Sequence, residues 1–517
     1  MSRTRGTTLR VPVALVDRPH DRRRDPMWLA LDGPDGHVAV VGSARSGKST
    51  AIRSLICALA LNHTPGEVQV YCLDFGGGTL AGLRDLPHVG GVAGRADAAA
   101  VHRTVGQVST LLAARQRRFA DLGADSMSTY RKRRPDDDAY GDVFLVIDGW
   151  PTLRAEYEDL EPVVTDLAAL GLAYGVHVVA SAPRWIDFRP SVRDLFRSRI
   201  ELRLADPADS MVSRRVAATV PSQVPGRGLT GDGLHLLTAV PGLAGAETAE
   251  LVRMVAAGWG GDHAPAVRLL PPVLPYADLN RRTTTGLRLP IGIAEADLET
   301  VAVDFASEPH FLLFGDVGCG KSSFLRALAT TVAGRFTPAQ AQLVIVDYRR
   351  SLLGAVQNAH LAGYGTSTAG TTDIVKSVAQ AMKGRLPGAD VTPQQLRERS
   401  WWSGPELFVL VDDYDLVANG PVNPLAALAD YLPQARDVGL HLVITRRSGG
   451  AARALYEPVL QRLRELGSPG MVMTGDPSEG VLLGSVRPAP LPAGRGRLVN
   501  RNDGVRMVQL AYLPPDP

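Results

Sequence analysis

Cysteine is scarce in this chain of 517 residues, with Cys57, Cys72 and Cys319 its three thiols. They sit at no ligand spacing, which argues against a disulfide framework or a zinc module and points to the cytosol. No apolar run reaches the ~18 residues that a spanning helix needs, so no transmembrane segment is expected. The opening Met1-Ser2-Arg3-Thr4-Arg5-Gly6 lacks the apolar stretch of a secretory leader. Charge of one sign is missing too: 56 basic residues face 53 acidic ones, a net of +3. A nucleic-acid groove usually brings a clear basic excess, so DNA is not the expected partner. What remains, 45% hydrophobic and 21% charged, is a globular chain long enough for two or three cores.

One phosphate-binding pattern, G-x-x-x-x-G-K-[ST], is present twice. The first copy is Gly42-Ser43-Ala44-Arg45-Ser46-Gly47-Lys48-Ser49, followed by Thr50. The second is Gly315-Asp316-Val317-Gly318-Cys319-Gly320-Lys321-Ser322, followed by Ser323. Glycines let a loop turn its N–H groups inward on phosphate oxygens, and the lysine supplies a compact charge to the β- and γ-phosphates. Ser49 and Ser322 carry the hydroxyls expected to ligate Mg²⁺. Each loop follows an apolar strand pattern, His37–Val41 or His310–Phe314, and opens a helical one. The ligand expected at both is ATP with Mg²⁺.

Other landmarks repeat at matching offsets. The two loops are offset by 315 − 42 = 273, and strand-end Asp74 and Asp347 keep 347 − 74 = 273. The strands ending in Asp148 and Asp412 are separated by 412 − 148 = 264, and those reaching Ser181 and Thr445 by 445 − 181 = 264. Asp206-Pro207 pairs with Asp476-Pro477, and Gly226-Arg227-Gly228 with Gly494-Arg495-Gly496. A shared order with slowly drifting offset indicates a duplicated domain. Continuous apolar strands alternating with amphipathic helices predict parallel sheets covered on both faces. The predicted fold is α/β: two tandem RecA-like P-loop ATPase modules with mainly parallel sheets covered by helices. The modules are placed at residues 1–262 and 286–517, joined by a Pro-rich linker at 263–285.

Asp148 and Asp412 end apolar strands as the second phosphate-transfer motif (Walker B) requires, where a carboxylate reaches Mg²⁺ through its water shell. Hydrolysis also needs a group that positions water, commonly the next residue along. Here the copies differ: Gly149 has no side chain, and Asp413 is either a short catalytic carboxylate or a strand-end turn residue. Ser181 and Thr445 are read as γ-phosphate sensors or as plain turn hydroxyls. Arg227 and Arg495 are candidate fingers for a neighbouring subunit's nucleotide or parts of hairpins. Cys319 is read as a small loop residue, with an oxidisable thiol as the alternative. Trp401-Trp402 are expected to pack beside the Walker B strand. The run Arg131–Arg134 followed by Asp136–Asp138 is expected to be a solvated loop.

Together these motifs resemble the FtsK/SpoIIIE-type ATPases, and within them the EccC component of actinobacterial type VII secretion. The resemblance is carried by Leu73-Asp74-Phe75-Gly76-Gly77-Gly78, Leu86–Val92, Val146-Ile147-Asp148-Gly149-Trp150 and Pro225–Thr230. In the second copy it is carried by Val346-Asp347-Tyr348-Arg349-Arg350, Val411–Val417 and Arg446–Gly450. It implies that the copies correspond to the second and third modules of an EccC array. A membrane anchor and one further module would then lie on another chain, as with the separately encoded EccCb, or else the chain is an excised fragment of a longer EccC. It further implies small helical Trp-X-Gly-type secreted proteins as partners, recognised through a C-terminal signal. A membrane-anchored EccC half, other membrane components of the system and a homo-oligomer in the form of a hexameric ring are implied as well. The chain would be cytoplasmic, recruited to the inner face of the cell membrane, with these modules regulatory and slow to hydrolyse ATP. An FtsK-type DNA translocase is the alternative.

Overall fold

The computed structural model describes residues 8–133, 138–242, 247–259, 261, 263–280, 284–356, 359–420, 423–501 and 504–515. The opening hexapeptide and Arg134, Asp136 and Asp137 of the charged run lie outside the described residues. The chain divides into two units, Met1–Leu269 and Leu270–Pro517. The division falls inside the stretch read as a linker.

The first unit holds β1 (Arg10–Arg18), β2 (Arg23–Ala30), β3 (Val38–Val41), β4 (Val68–Asp74) and β5 (Val89–Gly94). It continues with β6 (Asp142–Asp148), β7 (Val176–Ala182), β8 (Ser198–Leu202), β9 (Arg227–Leu229) and β10 (His235–Thr238). Their order in the sheet is β2-β1-β10-β9-β8-β3-β7-β6-β4-β5. From β8 to β5 all neighbours are parallel, and from β8 out to β2 they are antiparallel.

The second unit holds β11 (Leu274–Pro275), β12 (Arg288–Ala294), β13 (Thr300–Asp304), β14 (His310–Phe314), β15 (Ala341–Val346) and β16 (Leu361–Gly365). Then come β17 (Glu406–Val411), β18 (Leu440–Arg446), β19 (Gly470–Val472), β20 (Arg495–Asn500) and β21 (Gly504–Tyr512). The order β13-β12-β21-β20-β19-β14-β18-β17-β15-β16 repeats that of the first unit position for position, with β11 added beside β21. The duplication inferred from residue offsets is therefore a duplication of topology.

The continuous apolar strands arise because both faces are covered. Every residue of β4, β6 and β7 is buried. Along β6, Phe144 and Val146 face a core shared with helix Lys48–Asn62. Val143, Leu145 and Ile147 face the core beneath helices Ala98–Leu122 and Leu160–Leu170. Period-two alternation thus serves two cores rather than a core and solvent.

Several described linker residues are docked rather than loose. Ala264 N–H donates to Pro87 O at 2.8 Å and Val267 N–H to Gly90 O at 2.9 Å, beside edge strand β5. The Tyr71 hydroxyl reaches Pro265 O at 2.7 Å. In the second unit β11 pairs in parallel with β21, and Leu274, Tyr276 and Leu279 join a small core with Ala327 and Ala511. The charged run is only partly solvated: Asp138 is buried and accepts from the Tyr130 hydroxyl at 2.6 Å, and Arg131 bridges to Asp142.

Candidate nucleotide sites

Both phosphate loops leave the ends of central strands, β3 and β14, and bend into helices Lys48–Asn62 and Lys321–Arg335 through Gly47 at φ 102° and Gly320 at φ 113°. Only glycine takes such angles without strain. Neither helix has a side-chain cap or an acidic residue in its first turn, whereas helix Ala98–Leu122 is capped by Asp97. The first-turn N–H groups and the dipole are thus left for an anion.

Both lysines fold back on their own loops. Lys48 Nζ donates to Gly42 O at 2.7 Å and Ser43 O at 2.8 Å, and Lys321 Nζ to Gly315 O and Asp316 O at 3.0 Å each. Burial lowers the Lys48 pKa, against the opposing pull of Asp148. Of the other loop residues, Arg45 (φ 60°) and Gly318 (φ 77°) turn each loop outward, while Ser46 and Cys319 are buried beneath it. Val317 is exposed. Ser43 Oγ donates to Arg203 O, and Ser323 Oγ to Leu513 O.

The expected metal ligands converge. In the second unit Ser322 Oγ donates to Asp412 Oδ2 at 2.6 Å, and Thr445 Oγ1 to Asp412 Oδ1 at 2.7 Å. In the first, Ser181 Oγ donates to Asp148 Oδ1 at 2.5 Å. Asp148 Oδ2 is buried with no hydrogen-bond partner. A Cβ placed on Gly76 would stand 2.3 Å from that oxygen and 3.2 Å from Ser49 Oγ. An orphaned carboxylate oxygen beside a serine hydroxyl fits a hydrated Mg²⁺. In the second unit, burial raises the Asp412 pKa although Ser322 and Thr445 donate to it, a cost that a divalent cation would relieve. Among the described residues no cluster of three or more His, Cys, Asp or Glu side chains forms a self-sufficient metal site. Ser49 with Asp148 and Ser322 with Asp412 would hold a Mg²⁺ there, which would offset the charge of bound phosphates.

The residues after the Walker B carboxylates share a left-handed backbone, Gly149 at φ 113° and Asp413 at φ 44°. Asp413 is held on two sides, 2.7 Å from Arg349 Nε and 3.6 Å from Lys321 Nζ. Sequence reasoning gave Arg349 no role, although it stands at the repeat offset from Gly76, 349 − 76 = 273. Ser181 and Thr445 donate to the Walker B carboxylates and so orient them.

Arg227 pairs with Asp17 at 2.9 Å, and Arg495 donates to Gln509 Oε1 and to the Leu270 and Pro271 carbonyls. Both are engaged within their own unit. Their turns brace the phosphate loops, Gly226 N–H donating to Ser46 O and Gly494 N–H to Cys319 O. Cys319 is buried and its thiol pKa is pushed up by burial despite Lys321, opposite to an oxidisable thiolate. As expected, Trp402 lies beside the Walker B strand, near Gly439 and the start of β17, and the guanidinium of Arg385 stacks 4.3 Å over its ring.

An apolar cavity of about 620 Å³ adjoins the first loop, lined by Pro12, Leu15, Thr50, Pro225, Leu237 and Val240 among others. At the equivalent place in the second unit the cavity is about 150 Å³, and Pro272 and Val273 join its wall.

Two phosphate loops on duplicated, mainly parallel sheets, each facing a Walker B carboxylate, define a tandem P-loop ATPase. The FtsK/SpoIIIE family model matches residues 2–245 and 283–385, and the chain belongs to that family. It is 53% identical over 98% of its length to the ESX secretion system protein EccC of Thermomonospora curvata, spanning 39% of that protein. It is 38% identical to the ESX-1 secretion system protein EccCb1 of Mycolicibacterium smegmatis, with 98% of this chain and 89% of the relative covered. Among solved structures, T. curvata EccC (ATPases 2 and 3) in complex with a signal sequence peptide aligns with a TM-score of 0.92, at 53% identity, over 98% of this chain and 93% of that one. Among the described residues no helix is long and apolar enough to cross a membrane.

Proposed function

We propose that the chain is the ATP-binding, regulatory part of a type VII protein secretion motor. Each unit binds one ATP with Mg²⁺, and the second unit receives the C-terminal tail of a small helical Trp-X-Gly-type secreted protein. Partner subunits, including a membrane-anchored EccC half, hold the chain at the inner face of the cell membrane, where a homo-oligomeric ring gives repeated weak docking its avidity. The names of the relatives support the secretion reading, and the peptide bound to the T. curvata protein supports a tail as ligand.

The observation that carries the docking site is a difference between the two sheet edges. In the first unit a chain segment covers β5: Val267 N–H bonds to Gly90 O, and a Cβ on Gly91 would meet Val267 Cγ2 at 2.8 Å. In the second unit β16 occupies the same sheet position. Among the described residues no segment is hydrogen-bonded along its outer side. Helix Thr368–Gly384 flanks it and sets Ile374 3.1 Å from the Cβ position of Gly363. An open edge with Ile374 beside it suits a short apolar tail.

The test is titration of a fluorescein-labelled C-terminal peptide of such a secreted protein against the full chain. Binding is expected around micromolar, because ordering a flexible tail consumes contact energy. Ile374→Asp should weaken it about tenfold or more. Equal binding of a scrambled peptide, or an unchanged affinity for Ile374→Asp, places the cargo elsewhere.

A further inference from the structure

The two units differ at two positions that touch in space. Gly76 and Gly149 of the first unit correspond to Arg349 and Asp413 of the second, at the offsets 349 − 76 = 273 and 413 − 149 = 264 that govern the neighbouring landmarks. One unit therefore carries no side chain at either position, and the other carries an ion pair with a 2.7 Å contact. The pair leans on the nucleotide site, since the remaining Asp413 oxygen is 3.6 Å from the phosphate-binding Lys321. Asp413 is also fixed through its backbone, whose N–H donates to Asp412 Oδ1 at 3.1 Å and Thr445 Oγ1 at 3.2 Å. Its carboxylate cannot retreat far. Arg349, by contrast, has a side chain 44% exposed.

We propose that Arg349 and Asp413 form a switch operated by the γ-phosphate in the second unit, with Arg349 the group that reads that phosphate. The inference rests on ATP binding by this unit. In the closed pair both Asp413 oxygens face cations, Oδ2 against Arg349 and Oδ1 against Lys321, and neither is turned to a water. An incoming γ-phosphate competes with Asp413 for both cations, because like charges at this range repel. Arg349 turns to the phosphate and leaves Asp413 facing the attacking water. The water oxygen then bonds to the γ-phosphorus while the bridging bond to ADP breaks, and the water proton passes to Asp413, giving ADP and inorganic phosphate. ADP has no γ-phosphate and leaves the pair closed. The first unit, with glycine at both positions, has neither the reader nor the base.

The test uses the full chain carrying Lys48→Ala, so that the second unit alone binds nucleotide, and measures affinity for ATP and ADP with Mg²⁺ together with single-turnover hydrolysis. Arg349→Ala should weaken ATP about tenfold, one charge-assisted contact, and leave ADP within about twofold. Arg349→Lys, which keeps the charge, should restore most of the preference for ATP. Asp413→Asn should tighten ATP while slowing hydrolysis by about 10² or more. Equal shifts for ATP and ADP in Arg349→Ala would mean a merely structural ion pair and overturn the switch. If the Lys48→Ala chain binds neither nucleotide, the two-site reading of the preceding subsection fails and the switch falls with it. If it binds ATP but Asp413→Asn hydrolyses at the parent rate, only the switch fails.

Discussion

Two buried histidines, His37 and His310, stand at the same position in the two units, at the repeat offset 310 − 37 = 273. Each places Nε2 against a carbonyl oxygen, of Ala168 at 2.7 Å or Leu432 at 3.1 Å. Nδ1 accepts from the Val178 or Leu442 N–H. The ring is thus a neutral bridge between strand and helix layer, and burial lowers each pKa from 6.5 to about 4. Between these values an unfolded chain takes up protons that the folded one refuses. The stabilisation is therefore complete above about pH 6.5 and is lost as pH falls toward 4. The melting temperature should fall through that window, by about 2–4 °C per kcal/mol for units of this size. His37→Gln and His310→Gln should each flatten the acid limb in calorimetry. A parallel downward shift at every pH would mean that packing, not proton linkage, was lost.

At the scale of elements, the added strand β11 is the clearest departure from exact repetition. It pairs with β21, and Pro272 and Val273 just before it enter the wall of the apolar cavity beside the second phosphate loop. An apolar cavity beside a phosphate site suits a purine base, and the second unit has far less of it, about 150 Å³ against about 620 Å³. An ATP analogue bearing a bulky N6 substituent should therefore bind a Lys321→Ala chain, in which the first unit alone binds nucleotide, about tenfold better than a Lys48→Ala chain. Val273→Gly should narrow the gap. If both chains accept the analogue equally, the base lies outside this cavity.

For the whole molecule, two intact loops predict two bound nucleotides per chain, reduced to one by Lys48→Ala or by Lys321→Ala. A stripped and reloaded wild-type chain that never exceeds one would remove one loop from the account. Hydrolysis should be slow, and slowest in the first unit, where no carboxylate follows Asp148. Loss of a positioned base costs on the order of 10²–10⁴ in rate. Single-turnover measurement on Lys321→Ala isolates that unit, and turnover near the enzyme median of ~10 s⁻¹ would contradict it.

The phosphate loops, the Walker B strands, the twofold repeat and the α/β class were legible in the chain because each is local. A tight glycine turn needs glycine within a few residues, and a doubly covered strand needs an unbroken apolar run. The repeat was legible because like topologies keep like spacings, which also made the Gly76–Arg349 correspondence visible to anyone asking for it. What Arg349 touches was not legible, since Arg349 and Asp413 are far apart in the chain and meet only where β15 and β17 run side by side. The same holds for Arg227, whose partner Asp17 lies at the other end of its unit's sequence. The linker shows the limit from the other side. Its prolines mark a break between cores, but whether it hangs free or lies along β5 depends on an edge strand's unpaired backbone groups. Those groups exist only once the sheet has formed.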